Sequence, residues 1–231
     1  MNKNEFIFDL LSREPGTGVS VLDRDGVLLY INETSTRIFF ADPPNPDDII
    51  GKNLVEMGFP KSWAEERVRI IREIEETGKE LILRTIWQGK QQFSWMRSLG
   101  CEDGEPFRVL VVTRRLSGGD EAELLLKSEM GVVESEVAGL GELCLLTKRE
   151  LEVLALIGQG LTAKEIAALM HRSVKTVENH RISLGAKLQK SNKVELALIA
   201  REAGLTTEDS ARKRVRRVRK ADMEGGCESK D

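Results

Sequence analysis

The chain has 231 residues, a hydrophobic content of 40% and a formal net charge of −3 at pH 7. That length allows two domains with separate cores; with no run of about eighteen apolar residues and no signal peptide, a soluble, cytoplasmic protein is expected. Cys101, Cys144 and Cys227 lack the spacing of a disulfide framework or zinc site, and both histidines, His171 and His180, lie late in the chain, which excludes a His-ligated metal or haem before them.

In chain order, Val19–Asp23 is a short strand pattern, Arg24-Asp25-Gly26 a turn with hairpin chemistry, and Val27–Ile31 a second strand. Asn32 opens a short helical stretch ending at Phe39-Phe40, and 41–48, with three prolines, is a loop. Ile50 to Leu54 begins another short element, and Trp63 to Gly78 is a charged amphipathic helix. Three strands follow, Glu80–Trp87, Gln92–Cys101 and Phe107–Leu116, separated by turns at Gly89-Lys90 and Asp103-Gly104. Two strands, short helices, one longer helix and three antiparallel strands resemble the PAS sensory domain. The residues that carry the likeness are Asp23-Arg24-Asp25-Gly26, the strand ending in Asn32, and Ile50-Gly51-Lys52-Asn53-Leu54. The resemblance covers residues 1–116 and implies a small-molecule cavity between sheet and helices, or a dimerisation module. Trp87, Phe93, Trp95 and Phe107 are candidates for a pocket lining, although aromatics on sheet faces are usually core. No flavin-adduct motif surrounds a cysteine, and no cofactor is expected. A phosphoreceiver domain is rejected, because Asp47-Asp48 sits in the proline loop and three consecutive strands close the segment.

Residues 117–140 are expected to form a helical linker. Leu126, Met130, Val133, Val137 and Leu140 follow a heptad seam, open either to a short parallel coiled coil or to one helix packed on the first domain; Gly131 weakens the pattern.

Four helical patterns follow over 141–206. Thr147 with Glu150 and Thr162 with Glu165 are capping boxes. The first helix carries Leu151, Leu154, Ala155 and Ile157 and stops at Gly158-Gln159-Gly160; the second carries Ile166, Ala167, Leu169 and Met170 and ends near His171-Arg172. Ser173 caps the third helix and Ser191 or Asn192 the fourth, which holds Val194, Leu196, Ala197, Leu198 and Ile199. At roughly 100° per residue, His180, Leu184 and Leu188 fall within about 60° of Val177, which makes a buried stripe. Lys175, Glu178, Asn179, Ile182 and Ala186 lie opposite. That mixture suits a recognition helix: Asn179 pairs with adenine, Glu178 accepts from cytosine N4, and Ile182 meets a thymine methyl. Ser173, Lys175, Thr176 and Arg181 are placed to hold phosphates. His180, on the apolar stripe, is expected to be a packed core residue.

Several runs are similar to the LuxR-type (GerE-like) helix-turn-helix family: Leu146 to Leu154, Lys164-Glu165-Ile166-Ala167, Ser173 to Arg181, and Lys187-Leu188. The resemblance implies a four-helix domain whose third helix enters the major groove, with the fourth commonly supporting dimerisation. One departure stands out: the residue after Thr176-Val177 is often Lys in the family and is Glu178 here.

Residues 1–140 carry a net −8 and residues 141–231 a net +5, so the electrostatics suited to nucleic acid sit in the C-terminal part. Over 207–231 a disordered basic tail is expected, because Arg212 to Lys220 holds seven basic residues in nine. The fold class expected is α+β: an N-terminal PAS-like antiparallel sheet with helices, a helical linker, and an all-α four-helix helix-turn-helix domain. The expected function is transcription regulation without catalysis, as a homodimer on double-stranded DNA. Input comes from a small-molecule ligand at the PAS-like domain or, alternatively, from a protein partner at a ligand-free module.

Overall fold

The computed structural model describes residues 11, 13–99, 106–116 and 131–216. Its strands and helices are β1 (Thr17–Asp23), β2 (Leu28–Ile31), α1 (Glu33–Phe39), α2 (Lys61–Thr77), β3 (Leu81–Trp87), β4 (Lys90–Ser98), β5 (Arg108–Arg115), β6 (Val132–Glu134), β7 (Val137–Ala138), α3 (Lys148–Gly158), α4 (Ala163–Leu169), α5 (Val174–Leu188), α6 (Lys193–Glu202) and β8 (Lys213–Arg214). Internal contacts divide the chain into two units. Residues 84–92 and 115–214 form the second; the described remainder forms the first.

The sheet runs in the order β2-β1-β5-β4-β3-β6. In the first unit, β1 pairs antiparallel with β5 from Thr17↔Arg114 to Asp23↔Arg108, and with β2 through a register shift at Val21/Leu22. The expected turn between β1 and β2 is built by Asp23, whose carboxylate accepts from the N–H groups of Asp25 and Val27 while Gly26 takes φ +78°. Asn32 caps α1 and also locks β1. Its Oδ1 accepts from Ser35 N and Val19 N, and its Nδ2 donates to Thr17 O. Buried Trp63, Ala64, Arg67, Ile70, Ile71 and Ile74 fall on one face of α2, which ends where Gly78 turns left-handed. Phe39, Phe40, Phe59 and Trp63 pack edge-on and stacked with centroids 4.4–6.1 Å apart, and Arg67 lies 4.4 Å over the Trp63 ring. Phe93 and Phe107 are buried as core, and Trp95 is half-buried. Cys101 and the Asp103-Gly104 turn lie outside the described residues.

In the second unit, the β3–β4 turn at Gln88-Gly89 has φ +54° and +71°, the positive values a two-residue hairpin demands. The linker expectation is corrected here. Residues 117–130, with Leu126 and Met130, lie outside the described residues, but 131–140 is extended rather than helical. Gly131 turns left-handed at φ +68°, Val132–Glu134 forms the edge strand β6, and Val137 and Leu140 are buried in the second unit rather than lined along a seam. β-branched valines favour this conformation, and Gly139 admits the Trp87 ring, which lies 2.6 Å from where a Cβ would stand.

The tail expectation is corrected as well for 207–216. Residues Glu208–Ala211 form a 3-10 turn and β8 pairs parallel with β7. The basic side chains find acceptors: Arg212 bonds Ser135 O and the carboxylates of Glu134 and Asp209, and Arg214 donates to Leu146 O at 2.6 Å. Residues beyond 216 lie outside the described set.

Arg84, only 1% exposed, is the hub of this unit. Its Nε donates to Gln91 Oε1 (2.6 Å), Nη1 to Glu134 Oε2 (2.9 Å) and Asp209 Oδ1 (3.1 Å), and Nη2 to Gly204 O (2.6 Å) and Asp209 Oδ2 (3.0 Å). All five guanidinium N–H groups are thereby matched. Burial opposes the Asp209 charge, but the bonds and charge of Arg84, with Thr206 N–H and Arg212, outweigh it and hold the carboxyl below its usual range. Either Arg84→Met or Asp209→Asn breaks the bidentate buried pair and leaves only the second partner, Arg212 for Asp209 or Glu134 for Arg84, so each is expected to cost about 3 kcal/mol in chemical denaturation. A loss below about 1 kcal/mol, the worth of a surface pair, would show that the cluster is not structural.

Candidate nucleic-acid interface

Three capping boxes set the starts of α3, α4 and α6: Thr147 with Glu150, Thr162 with Glu165, and Asn192 with Glu195. The first two were legible in the sequence; the third became visible only once Asn192 was placed. α4 ends in a left-handed residue that is not glycine. His171 has φ +51°, with Arg172 N donating to Ala167 O (2.9 Å) and His171 N to Ala168 O (3.3 Å), the paired bonds of a Schellman motif. This turn sets α5 at its angle to α4.

Leu151, Leu154, Ala155, Ile166, Val177 and Leu184 form a common core with Leu196 and Ala200. α3 and α6 approach so closely that a Cβ on Gly158 would stand 2.6 Å from the Ala200 Cβ. Leu140, Leu143 and Leu146 from before α3, and Ile86 from the β3–β4 hairpin, belong to the same cluster.

The α5 stripe is as expected at Val177 and Leu184, which are buried. His180 and Leu188 are half-buried, so His180 is not the core residue expected. On the opposite side Lys175, Asn179, Ile182 and Ala186 are exposed, Ile182 by 62%. Ser173 caps α5. Its Oγ accepts from Thr176 N (3.1 Å) and lies 2.9 Å from Thr176 Oγ1, so one hydroxyl proton of the pair remains to donate outward. Glu178 and Arg181 are half-exposed and joined, Arg181 Nε donating to Glu178 Oε2 at 2.7 Å.

Sequence reasoning gave Glu150 only a capping role. The structure adds a second one. Its side chain is 5% exposed, and it takes Thr147 N and Lys187 Nζ on Oε2 (both 2.7 Å) and Ser183 Oγ on Oε1 (2.6 Å). One carboxylate thus ties the start of α3 to the later turns of α5. No local pattern signals this, because Ser183 and Lys187 lie more than thirty residues away. Burial would push the Glu150 pKa up, but the bonds from Lys187, Ser183 and Thr147 bring it down to about 2.

Residues 145–200 match the family model of bacterial regulatory proteins of the luxR family. Two curated relatives match part of the chain: the uncharacterized response regulatory protein YgeK of Escherichia coli K12 (45% identical over 62 residues, 27% of this chain and 42% of that protein) and the transcriptional regulatory protein UhpA of the same strain (54% over 52 residues, 22% and 26%). The chain therefore spans less than half the length of either relative. The solved Vibrio cholera VqmA–ligand–DNA complex is similar over 92% of this chain and 94% of that one, at 22% identity and a TM-score of 0.50, a likeness of fold. Residues 145–200 are a LuxR-type helix-turn-helix domain, and the sheet and helices before them have a PAS-like fold. That family is one of bacterial regulatory proteins.

Because the folded pKa of Glu150 lies below its ordinary value of 4.5, the stability its charge contributes is complete above pH 4.5 and is lost as pH falls towards 2. The difference in unfolding free energy between the protein and Glu150→Gln should therefore widen from pH 2 to pH 4.5 by at most about 3 kcal/mol and then level off. A pH-independent difference would show that hydrogen bonding alone, and not the charge, holds α5 to α3.

Proposed function

We propose that this chain is a DNA-binding transcriptional regulator in which the PAS-like unit provides the input and the LuxR-type domain reads the major groove. The observation that carries the reading is the outward face of α5, where Lys175, Asn179 and Ile182 stand exposed on a helix whose other side is buried. In this reading Asn179 pairs with adenine and Ile182 meets a thymine methyl, while Ser173, Lys175 and Thr176 hold phosphates at the positively polarised start of the helix and Arg181 holds one about two turns further along. Glu178, expected at cytosine N4, stands beside this face.

The acting form is a homodimer. Val194 and Leu198 support this: they are 68% and 54% exposed, one turn apart on α6, where the family resemblance places the subunit contact. An exposed apolar pair in that position suits the seam of a two-fold interface.

A protein-interaction role for the first unit, without bound ligand, is the second reading. The aromatic packing of Phe39, Phe40, Phe59 and Trp63 favours it, since these rings fill the space between α1 and α2. The VqmA protein was solved with a ligand, and native mass measurement of this protein separates the two readings.

Selection of bound sequences from random duplex DNA, at fixed and stated salt, is expected to enrich two related half-sites. Asn179→Ala should relax preference at one position per half-site, worth about 1–3 kcal/mol of discrimination. Lys175→Ala should instead weaken all duplexes alike and lower the salt slope by about one. An unchanged preference in Asn179→Ala would remove that residue from the readout. Val194→Glu with Leu198→Glu should yield monomers in sedimentation while leaving far-UV circular dichroism intact; a persistent dimer would place the contact elsewhere.

A further inference from the structure

We propose that Glu178 is a positioning residue: it holds Arg181 in place against a DNA phosphate and reads no base. The inference rests on the DNA-binding reading above and reassigns one of its residues.

The geometry starts from the arginine. Arg181 Nε donates to Glu178 Oε2 at 2.7 Å, with the two side chains 36% and 35% exposed. A guanidinium carries five donors in one plane. Fixing Nε orients that plane and leaves both Nη groups to face outward, the edge that grips a phosphate with two parallel bonds. Ordering the plane in advance removes rotamer freedom that would otherwise be lost on binding.

Position along the helix points the same way. With Val177 at zero and about 100° per residue, Arg181 falls near 40° and Glu178 near 100°, whereas Ile182, Ala186, Lys175 and Asn179 cluster between about 140° and 200°. A helix in the major groove presents its crest to base edges and its flanks to the sugar–phosphate walls. Glu178 sits on a flank, and the long Arg181 side chain, rooted beside the buried stripe, reaches to it there. A bare carboxylate there would repel the backbone, but a carboxylate neutralised by Arg181 does not. Its Oε2 is already engaged by Arg181, and its place off the crest of the helix, rather than that bond alone, takes it from the role at cytosine N4. Where the family resemblance often puts Lys, this chain has a carboxylate, and the cation comes from the arginine one turn further.

The pair contributes little to folding, since exposed ion pairs on helices are worth only about 0.3–0.5 kcal/mol. The test is therefore DNA affinity, not stability. It uses the full chain with Glu178→Ala, Glu178→Gln, Arg181→Ala and the Glu178→Ala/Arg181→Ala double variant, on a selected duplex and on an unrelated one across a salt series. Glu178→Ala is expected to weaken both duplexes alike, by about three- to tenfold, with the enriched sequence unchanged and the salt slope shallower by about one. Glu178→Gln, whose amide oxygen still accepts from Nε, should recover most of the loss, and the double variant should bind no more weakly than Arg181→Ala. A changed base preference at one position in Glu178→Ala would make it a base reader and overturn the proposal. Tighter binding of both duplexes would overturn it too, by showing simple repulsion. Failure of the unsubstituted protein to bind any duplex would instead sink the DNA-binding reading, and this assignment with it.

Discussion

A guanidinium taken out of water imposes a strict condition: each of its N–H groups must find an acceptor, and its charge an opposite one, or the folded state loses several kcal/mol. Arg84 meets that condition by drawing on Gln91, Glu134, Gly204 and Asp209. Those acceptors come from β4, β6, the residues after α6 and the 3-10 turn that follows. The second unit is therefore not a free-standing four-helix module with extensions. The hairpin tip, the extended segment before α3 and the basic segment after α6 are built around one side chain, and two arginines, Arg84 and Arg212, face two carboxylates, Asp209 and Glu134. The same segments supply apolar residues to the helical core, Ile86, Leu140, Leu143 and Leu146 among them.

Within that frame the helix-turn-helix is positioned by short-range chemistry. Capping boxes end the uncertainty of where α3, α4 and α6 begin, and the left-handed His171 sets the turn into α5. Glu150 does two jobs with one carboxylate, closing the first turn of α3 and anchoring α5 through Ser183 and Lys187. A helix held in this way by its buried side presents its other side with little freedom, which is what major-groove recognition requires of a rigid reader.

The charge of the chain is divided to match, −8 before residue 141 and +5 from there on. Local pairing modifies that balance. Arg212 is committed to internal acceptors and Arg181 to Glu178 through one of its three nitrogens, so a count of basic residues overstates the charge available to phosphates.

The sequence by itself determined the helix-turn-helix, because its signals are local. Caps three residues from their partners and an apolar stripe at a 3.6-residue period act within one helix. It determined most strands of the PAS-like sheet for the same reason, each bounded by a turn whose residues state their own geometry, as at Asp23 to Gly26 and at Gln88-Gly89. It misread 131–140 because Val133, Val137 and Leu140 fit a heptad seam as well as they fit a segment with two short strands; only the availability of a sheet edge at β3 and a parallel partner at Lys213-Arg214 decided between them. It took the basic run from Arg212 for a disordered tail because repulsion is visible in sequence, whereas the Glu134 carboxylate and the Ser135 and Leu146 carbonyls that help to offset it are supplied from about 70 residues away. Tertiary structure alone decided the Arg84 cluster and the second role of Glu150, since both join groups with no sequence proximity, and a buried charge reveals its partners only when the chain is folded.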